Sequence, residues 1–279
     1  MAGTLYVVAT PIGNLGDLSP RAQQVLAQVD FIAAEDTRVG AKLLNRFEIK
    51  KPQISYFEHN RRAKGEQIAA RLEAGESCAL ITDAGTPAIS DPGTDLVDIC
   101  AQRGIPVVAV PGPCAAIAAL SIAGMDCGRW CFEGFLSVNK KSRREHLEDI
   151  RGERRTMVFY EAPHKLLRTL EDLHQVLGDR PIALVREITK IHEEVYRTTL
   201  AQAVEHYREN PPRGEFVLVL AGAPKPQEDE APPDPMEAVE ALLAQGCSIS
   251  EAVKRAAKEL GVPKNSIYNQ AMERFSQKE

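Results

Sequence analysis

The stretch Ile81-Thr82-Asp83-Ala84-Gly85-Thr86-Pro87-Ala88-Ile89-Ser90-Asp91-Pro92-Gly93 sets glycines, prolines and aspartates directly after a short apolar run, Cys78 to Ile81. That run reads as a buried strand, and an amphipathic helix begins near Asp95. The loop therefore sits at the carboxyl end of a strand, where open α/β sheets bind their ligands. Its glycines let backbone approach a ligand closely, and its prolines stiffen the chain between them. Asp83 can accept hydrogen bonds from ligand hydroxyl or amino groups. Taken alone, the composition also fits an ordinary turn. Repetition decides between the two. Strand-end loops recur at Thr10-Pro11-Ile12-Gly13-Asn14-Leu15-Gly16-Asp17, Pro111-Gly112-Pro113-Cys114-Ala115-Ala116, Phe159-Tyr160-Glu161-Ala162-Pro163-His164 and Arg186-Glu187-Ile188-Thr189-Lys190. None is G-x-G-x-x-G or a P-loop with its lysine, so a phosphate-cradled nucleotide is disfavoured. The loops better suit a neutral or zwitterionic ligand held by backbone groups and one carboxylate. The histidines and cysteines lack zinc-site spacing, so no metal is expected.

The elements that must position these loops alternate in type. Leu5 to Ala9, Phe31 to Ala34, Cys78 to Ile81 and Val107 to Val110 read as strands between helix-period segments. Ser19-Pro20 is an N-cap followed by proline at the first helical position. A mostly parallel sheet with helices on its faces follows, over residues 1–124. A second α/β unit, residues 125–223, carries Met157 to Tyr160, Ile182 to Val185 and Phe216 to Leu220 as apolar strands, with a more polar strand from His192 to Leu200. Between them, His164 to Leu177 has leucines at helical spacing and Gly178 as a stop. Residues 224–235 hold five prolines and four acids and read as a linker. Residues 236–279 carry three short helix signals, with Ser248 and Glu251 spaced as a capping box.

The chain has 279 residues, 44% of them hydrophobic and 26% charged, as in a soluble globular protein. No apolar run is long enough to span a bilayer, so no membrane partner is expected. Six cysteines without C-x-x-C spacing and without an export signal suggest reduced thiols in the cytoplasm. The net charge of −5 argues against wholesale nucleic-acid binding, but it conceals two basic stretches. Residues 38–64 hold eight Lys or Arg against two acids, among them Arg38, Arg61, Arg62 and Lys64, beside Tyr56 and Phe57. Residues 137–155 hold seven against four, among them Lys140, Arg143 and Arg144. A charged helix face explains any one such run. Two in an acidic protein favour a surface for a phosphate backbone, with an aromatic available to stack on an unpaired base.

The ordered motifs T-P-I-G-N-L-G-D, A-E-D-T-R, T-D-A-G-T-P-A-I-S-D-P-G, V-P-G-P, F-Y-E-A-P-H and G-E-F-V-L-V-L resemble those of the tetrapyrrole methylase superfamily, in its branch that modifies small-subunit ribosomal RNA. The resemblance covers about residues 3–222, and the tail matches as well. It implies two α/β domains with S-adenosylmethionine in the cleft between them, a small C-terminal helical domain, and a homodimer. It also implies 2′-O-methylation of a cytidine in the decoding region of 16S rRNA, on the RNA or the 30S subunit. Carried over by motif, the cofactor positions are Pro11, Gly13, Asp83, Ala84, Gly85, Cys114, Ala115, Tyr160 and Arg186. Corrin and sirohaem methylases usually carry Gly-Asp-Pro in the second loop and a later Phe-Gly-Arg. Here Asp83 falls one place earlier and Phe-Gly-Arg is missing, which disfavours a tetrapyrrole substrate.

A ribose hydroxyl becomes a good nucleophile only as its proton leaves, so a nearby base would help. Glu35 and Asp36 are the first candidates, with Glu187, Glu161 and His59 behind them. Lys190 could instead lower the hydroxyl's pKa electrostatically. Each carboxylate has a competing role in an ion pair, Asp36 with Arg38 and Glu187 with Arg186. Two other functions remain open at this level. One is methylation of a tetrapyrrole or protein side chain. The other is a non-catalytic nucleic-acid-binding module using the helical tail, whose Lys254, Arg255, Lys258 and Lys264 could face phosphate.

Overall fold

A computed structural model describes residues 2–224 and 234–275. The chain divides into two compact units, Met1–Ala223 and Pro224–Glu279. Most of the proline-rich stretch at 224–235 lies outside the described residues.

The first sheet of the larger unit is wholly parallel, in the order β3-β2-β4-β1-β5. Its strands are β1 (Leu5–Val8), β2 (Phe31–Ala34), β3 (Gln53–Ser55), β4 (Cys78–Ile81) and β5 (Val107–Val110). Side chains on a strand alternate between faces, and in β2 and β4 both faces are buried. Phe31, Ala33, Cys78 and Leu80 join one core, with Ile68 and Leu72 of α3 (Arg61–Glu73) and Leu96 of α4 (Thr94–Gln102). Ile32, Ala34, Ala79 and Ile81 join the other, with Leu26 of α1 (Pro20–Gln28) and Leu44 of α2 (Thr37–Arg46). Helix α1 starts as its sequence requires: the Ser19 hydroxyl accepts the Ala22 N–H at 3.1 Å, and Pro20 occupies the first turn.

The second sheet runs β6-β7-β10-β8-β9. Here β6 (Trp130–Gly134) is parallel to β7 (Thr156–Glu161), while β8 (Pro181–Arg186), β9 (Glu194–Thr199) and β10 (Phe216–Leu220) pair antiparallel. Helices α6 (Lys140–Asp149), α7 (Pro163–Leu177) and α8 (Leu200–Glu209) cover one face. Helix α5 (Ala115–Ala123) covers the other, burying Ala116, Ala119, Leu120 and Ala123 against Val158, Ala183, Val185 and Val219. Arg197 of β9 donates to the Ala123 carbonyl at 3.0 Å, tying the end of α5 to this sheet. Helix α5, which the sequence reading groups with the first α/β unit, thus packs on the second sheet. Its small side chains let the helix lie close to the strands and carry Cys114 and Ala115 with it.

The smaller unit packs α9 (Pro235–Ala244), α10 (Ile249–Glu259) and α11 (Lys264–Phe275) around Met236, Val239, Val253, Ala256 and Ile267. Ser248 precedes α10 with extended backbone, but its side chain makes no capping hydrogen bond, so the expected capping box does not form.

One glycine marks a close approach that the fold cannot relax. A Cβ on Gly222, just beyond β10, would lie 2.0 Å from the Arg154 carbonyl oxygen, where the Ala223 N–H reaches Glu153 O at 2.6 Å. Gly222→Ala is expected to destabilise the larger unit by about 1–3 kcal/mol, the usual range for overpacking, read as a lower urea midpoint. An unchanged midpoint would show that the 153–156 segment yields freely.

Candidate functional site

The loops after β1 and β4 are joined by a two-residue bridge. The Thr10 N–H donates to Gly85 O at 2.8 Å, and the Gly85 N–H returns to Thr10 O at 3.1 Å. Gly85 adopts φ +88°, a conformation that glycine supplies without steric penalty. The Thr86 hydroxyl donates to Pro113 O at 3.0 Å, linking the same loop to the segment before α5. These contacts wall a cavity of about 470 Å3, closed on its far side by Tyr160, Val185 and Val217 of the second sheet. The volume lies within the range of about 300–1,000 Å3 common for small-molecule sites.

Two backbone segments around this cavity are strained. Ala88 and Ser90 have φ of +70° and +62°, and Glu187 and Thr189 have +49° and +69°. They are four of the five non-glycine residues with positive φ among the described residues. Such conformations persist only where the surroundings impose them, and they concentrate at functional loops. An ionic clasp imposes the second pair: Lys190 Nζ donates to Glu187 at 2.9 Å and to Glu215 at 2.8 Å. The lysine stem lies against Gly13, where a Cβ would come within 2.5 Å of its Cγ. Burial pulls the Lys190 pKa down, but Glu215 and Glu187 outweigh it and the net direction is upward.

The cavity is acidic. The Glu35 carboxylate accepts from the Thr82 hydroxyl at 2.8 Å and from the Asp83 N–H at 3.4 Å. Asp83 accepts the Asp36 N–H at 3.2 Å, and burial followed by the Glu35 charge raises its pKa. Asp91 is pushed up to about 6, chiefly by burial, with the Thr82 hydroxyl opposing and Glu35 and Asp83 adding. Tyr160 accepts the Ala116 N–H at 3.1 Å, and burial pushes its phenol up to about 12. Phe132 and Phe135 meet Tyr160 edge-on, with centroids at 5.0 and 5.6 Å.

The sequence-derived candidates sort by this geometry. Glu35, Asp83, Ala84, Gly85, Cys114, Ala115, Tyr160 and Lys190 all line the cavity. Pro11 and Gly13 flank Ile12, which supplies the wall at that point. Asp36 does not face it. One carboxylate oxygen caps α2 through the Arg38 N–H at 2.8 Å, and the other meets the Arg38 guanidinium at 2.6 Å, which holds the pKa down at about 2. Glu187 pairs with Lys190 and not with Arg186, whose own partner is Glu194 at 3.0 Å. Neither Asp36 nor Glu187 is thus placed to take a proton in the cavity. Asp91, Phe135 and Glu215 also line the wall, and residue type and spacing do not single them out. Asp91 lies within the loop after β4, but only its burial in three dimensions distinguishes it.

Comparison with known proteins agrees with this architecture. Residues 4–204 match the family described as Tetrapyrrole (Corrin/Porphyrin) Methylases, and residues 229–274 match the RsmI C-terminal HTH domain. Proteins named ribosomal RNA small subunit methyltransferase I from Synechocystis sp. and Escherichia coli O157:H7 are 46% and 45% identical to it. The alignments cover 97% of this chain in both cases, and 98% and 95% of the respective relatives. The chain belongs to the ribosomal RNA small subunit methyltransferase I family. Among solved structures, a uroporphyrin-III C-methyltransferase from Thermus thermophilus, complexed with S-adenyl homocysteine, superposes with a TM-score of 0.56 at 18% identity. It covers 78% of this chain and 97% of that one, and at such identity it speaks for the fold alone.

The basic residues of this methyltransferase family member differ in availability. Arg62, Lys140 and Arg144 are exposed and form no ion pair among the described residues. Arg61 meets Asp95 at 2.9 Å, Lys64 donates to Gln67 at 3.0 Å, and Arg38 is tied to Asp36. Arg143 is 6% exposed, with its guanidinium on Asp172 at 2.6 Å and on the Thr169 hydroxyl at 2.9 Å. Its helical period turns it inward beside Leu147, so the expectation of an RNA contact there fails. Because Asp172 is partly exposed and keeps Arg168 at 3.9 Å, Arg143→Met should destabilise the fold by about 1–3 kcal/mol, the range for a lost hydrogen bond to a charged group. Chemical denaturation measures this, and a wild-type midpoint would show that the Arg143–Asp172 pair carries no more than a solvated surface charge does.

Proposed function

We propose that this protein transfers the methyl group of S-adenosylmethionine to the ribose 2′-hydroxyl of a cytidine in the decoding region of 16S rRNA, free or in the 30S subunit. The observation that carries the reading is the near-complete alignment with relatives named for small-subunit rRNA methylation, on a chain whose strand-end loops converge on one cavity. The cavity's chemistry fits the donor. Ile12, Val185 and Ile188 offer apolar surface, the 82–86 segment and Cys114–Ala115 offer backbone groups, and Glu35, Asp83 and Asp91 favour a cation. S-adenosylmethionine, when bound, supplies an electrophilic methyl on a positively charged sulfur.

The chain's own contribution is mostly geometric. Holding the ribose oxygen in line with the methyl replaces a bimolecular encounter with a positioned one. The Thr10–Gly85 bridge and the Lys190 clasp fix the two sides of the site before RNA arrives. Phosphates are repelled by the acidic interior, so the RNA backbone belongs at the rim, with one nucleotide entering. Phe135, 55% exposed yet part of the cavity wall, offers a face on which an unstacked base can lie. The resemblance also carries a homodimer into this reading, and the cysteine pattern a cytoplasmic setting. Among the described residues, no helix is long and apolar enough to cross a membrane.

The direct test maps ribose methylation on small-subunit rRNA from cells with and without the protein. Loss of one 2′-O-methylcytidine is expected on deletion, and an unchanged map would remove the RNA substrate. Replacing Arg62, Lys140 and Arg144 together with Gln should weaken RNA binding and reduce the salt slope by about one for each phosphate no longer neutralised. S-adenosylmethionine affinity should stay as in the wild type. Identical slopes would make these residues bystanders. Truncation after residue 223 should spare cofactor binding, since Met1–Ala223 is a compact unit with all the cavity walls, while RNA methylation falls. Calorimetry on the truncated protein that finds no cofactor affinity would overturn that division of labour.

A further inference from the structure

We propose that Asp91 accepts the proton of the attacking ribose hydroxyl. The inference rests on the methyl-transfer reading above and names the group that the reaction needs. Its basis is elimination by geometry within one cavity. Five carboxylates line the wall: Glu35, Asp83, Asp91, Glu161 and Glu215. Glu161 is 3% exposed and has both oxygens engaged, by the Thr169 hydroxyl and the Ala162 N–H. Glu215 is bound to the Lys190 ammonium at 2.8 Å. Glu35 accepts the Thr82 hydroxyl and the Asp83 N–H on one oxygen, and Asp83 accepts the Asp36 N–H on one of its own, so the charge of each is stabilised by hydrogen bonds that weaken it as a base. Asp91 forms no ion pair with any described basic residue, and the one hydroxyl that stabilises its charge, Thr82, has a single proton that Glu35 competes for.

Asp91 is also held in place more rigidly than a surface loop would allow. It lies between Ser90, at φ +62°, and Pro92, and Gly93 follows at φ +150°. A Cβ on Gly93 would lie 3.0 Å from Leu80 and 3.1 Å from the Ala88 nitrogen, so the turn packs directly on β4. The loop's strain is thereby sustained by the core of the first sheet, and Asp91 is one of its two cavity-lining carboxylates, with Asp83.

The charged and titratable surroundings favour the role. Glu35 from the end of β2 and Asp83 from the β4 loop face Asp91 with like charge, and Tyr160 faces it from β7. Lys190 lines the same cavity, but its charge is already matched by two carboxylates. Burial and these neighbours raise the acid to about 6, where it is ionised at neutral pH yet basic enough to hold a proton. In the step itself, the O–H bond breaks and its proton passes to an Asp91 oxygen. The electron pair released on the ribose oxygen forms the new O–C bond. The C–S bond breaks with its pair remaining on sulfur, which changes from a sulfonium cation to a neutral thioether. The proton on Asp91 then leaves to solvent.

The test compares wild type, Asp91→Asn and Asp91→Glu on small ribosomal subunits lacking the modification. Asp91→Asn should lower single-turnover rates at neutral pH at least about 100-fold, the lower bound of a general-base contribution. S-adenosylhomocysteine affinity by calorimetry should stay within about threefold of wild type, which also reports that the variant is folded. The wild-type rate should fall as pH drops through about 6 along a one-proton limb, because the base must be ionised. That limb should be absent from the residual activity of Asp91→Asn, and Asp91→Glu should restore part of the rate. Independently of activity, carbon NMR of labelled aspartate carboxyls should show one group titrating near 6 that disappears in Asp91→Asn. Wild-type turnover by Asp91→Asn, an unchanged acid limb, or loss of S-adenosylhomocysteine affinity in step with the rate would each overturn the assignment. A wild-type protein that leaves the RNA unmethylated overturns the underlying reading instead.

Discussion

The paired hydrogen bonds between Thr10 and Gly85 are the constraint on which the site depends. In the parallel sheet β1 and β4 are neighbours, so their exit loops emerge side by side, but nothing in the ladder dictates that they stay together. The bridge extends that pairing beyond the strand ends, and the Thr10 hydroxyl reinforces it at Thr82 O. On the other side of β4, the β2 ladder ends at Ala34 beside Ile81 and so brings Glu35 onto Thr82 and Asp83 from 47 and 48 residues away, while Asp36 caps α2.

The second sheet contributes through α5. A helix of small residues can approach strands closely, and this one buries four alanine or leucine positions on Val158, Ala183, Val185 and Val219. Its entry point is therefore set by the second sheet while its preceding segment is held by Thr86 of the first. The cavity is thus bounded by two sheets that share no strand pairing, coupled through α5 and through Lys190 lying on Gly13.

Much of this is legible from residue patterns. Dense apolar runs mark the strands, Ser19-Pro20 marks the start of α1, and the repeated strand-end loops mark the location of the site. The short β3 and the half-buried β6 are not legible, because Gln53–Ser55 is nearly polar and Trp130–Gly134 is interrupted by an irregular register. Helix α3 reads as a basic run although Gly65, Ile68, Ala69 and Leu72 form its buried stripe. The state of each carboxylate is illegible for a different reason. Asp36 has its partner two residues away and can be anticipated, whereas the partners of Glu35, Asp83 and Asp91 are fixed only by the tertiary fold. Arg143 shows the same limit on the basic side: its neighbours Lys140 and Arg144 share its composition but not its helical face.

An acidic cavity in a protein whose substrate is a polyanion looks contradictory, but the two charges act over different distances. Opposed charges near the surface are screened within about 8–10 Å at physiological salt, so the rim and the interior can carry opposite preferences. On the proposed reading, exposed Arg62, Lys140 and Arg144 meet phosphates at the surface, while the partly desolvated carboxylates act on what enters. On the proposed reaction, the donor carries a sulfonium charge that its product lacks. The same carboxylates then hold the donor more strongly than the spent product, and the loss of that attraction after transfer favours release. A proton accepted at Asp91 during the step reduces the negative charge of the cavity at the same moment as the positive charge on sulfur is lost, so the interior keeps its balance without recruiting the phosphates at the rim.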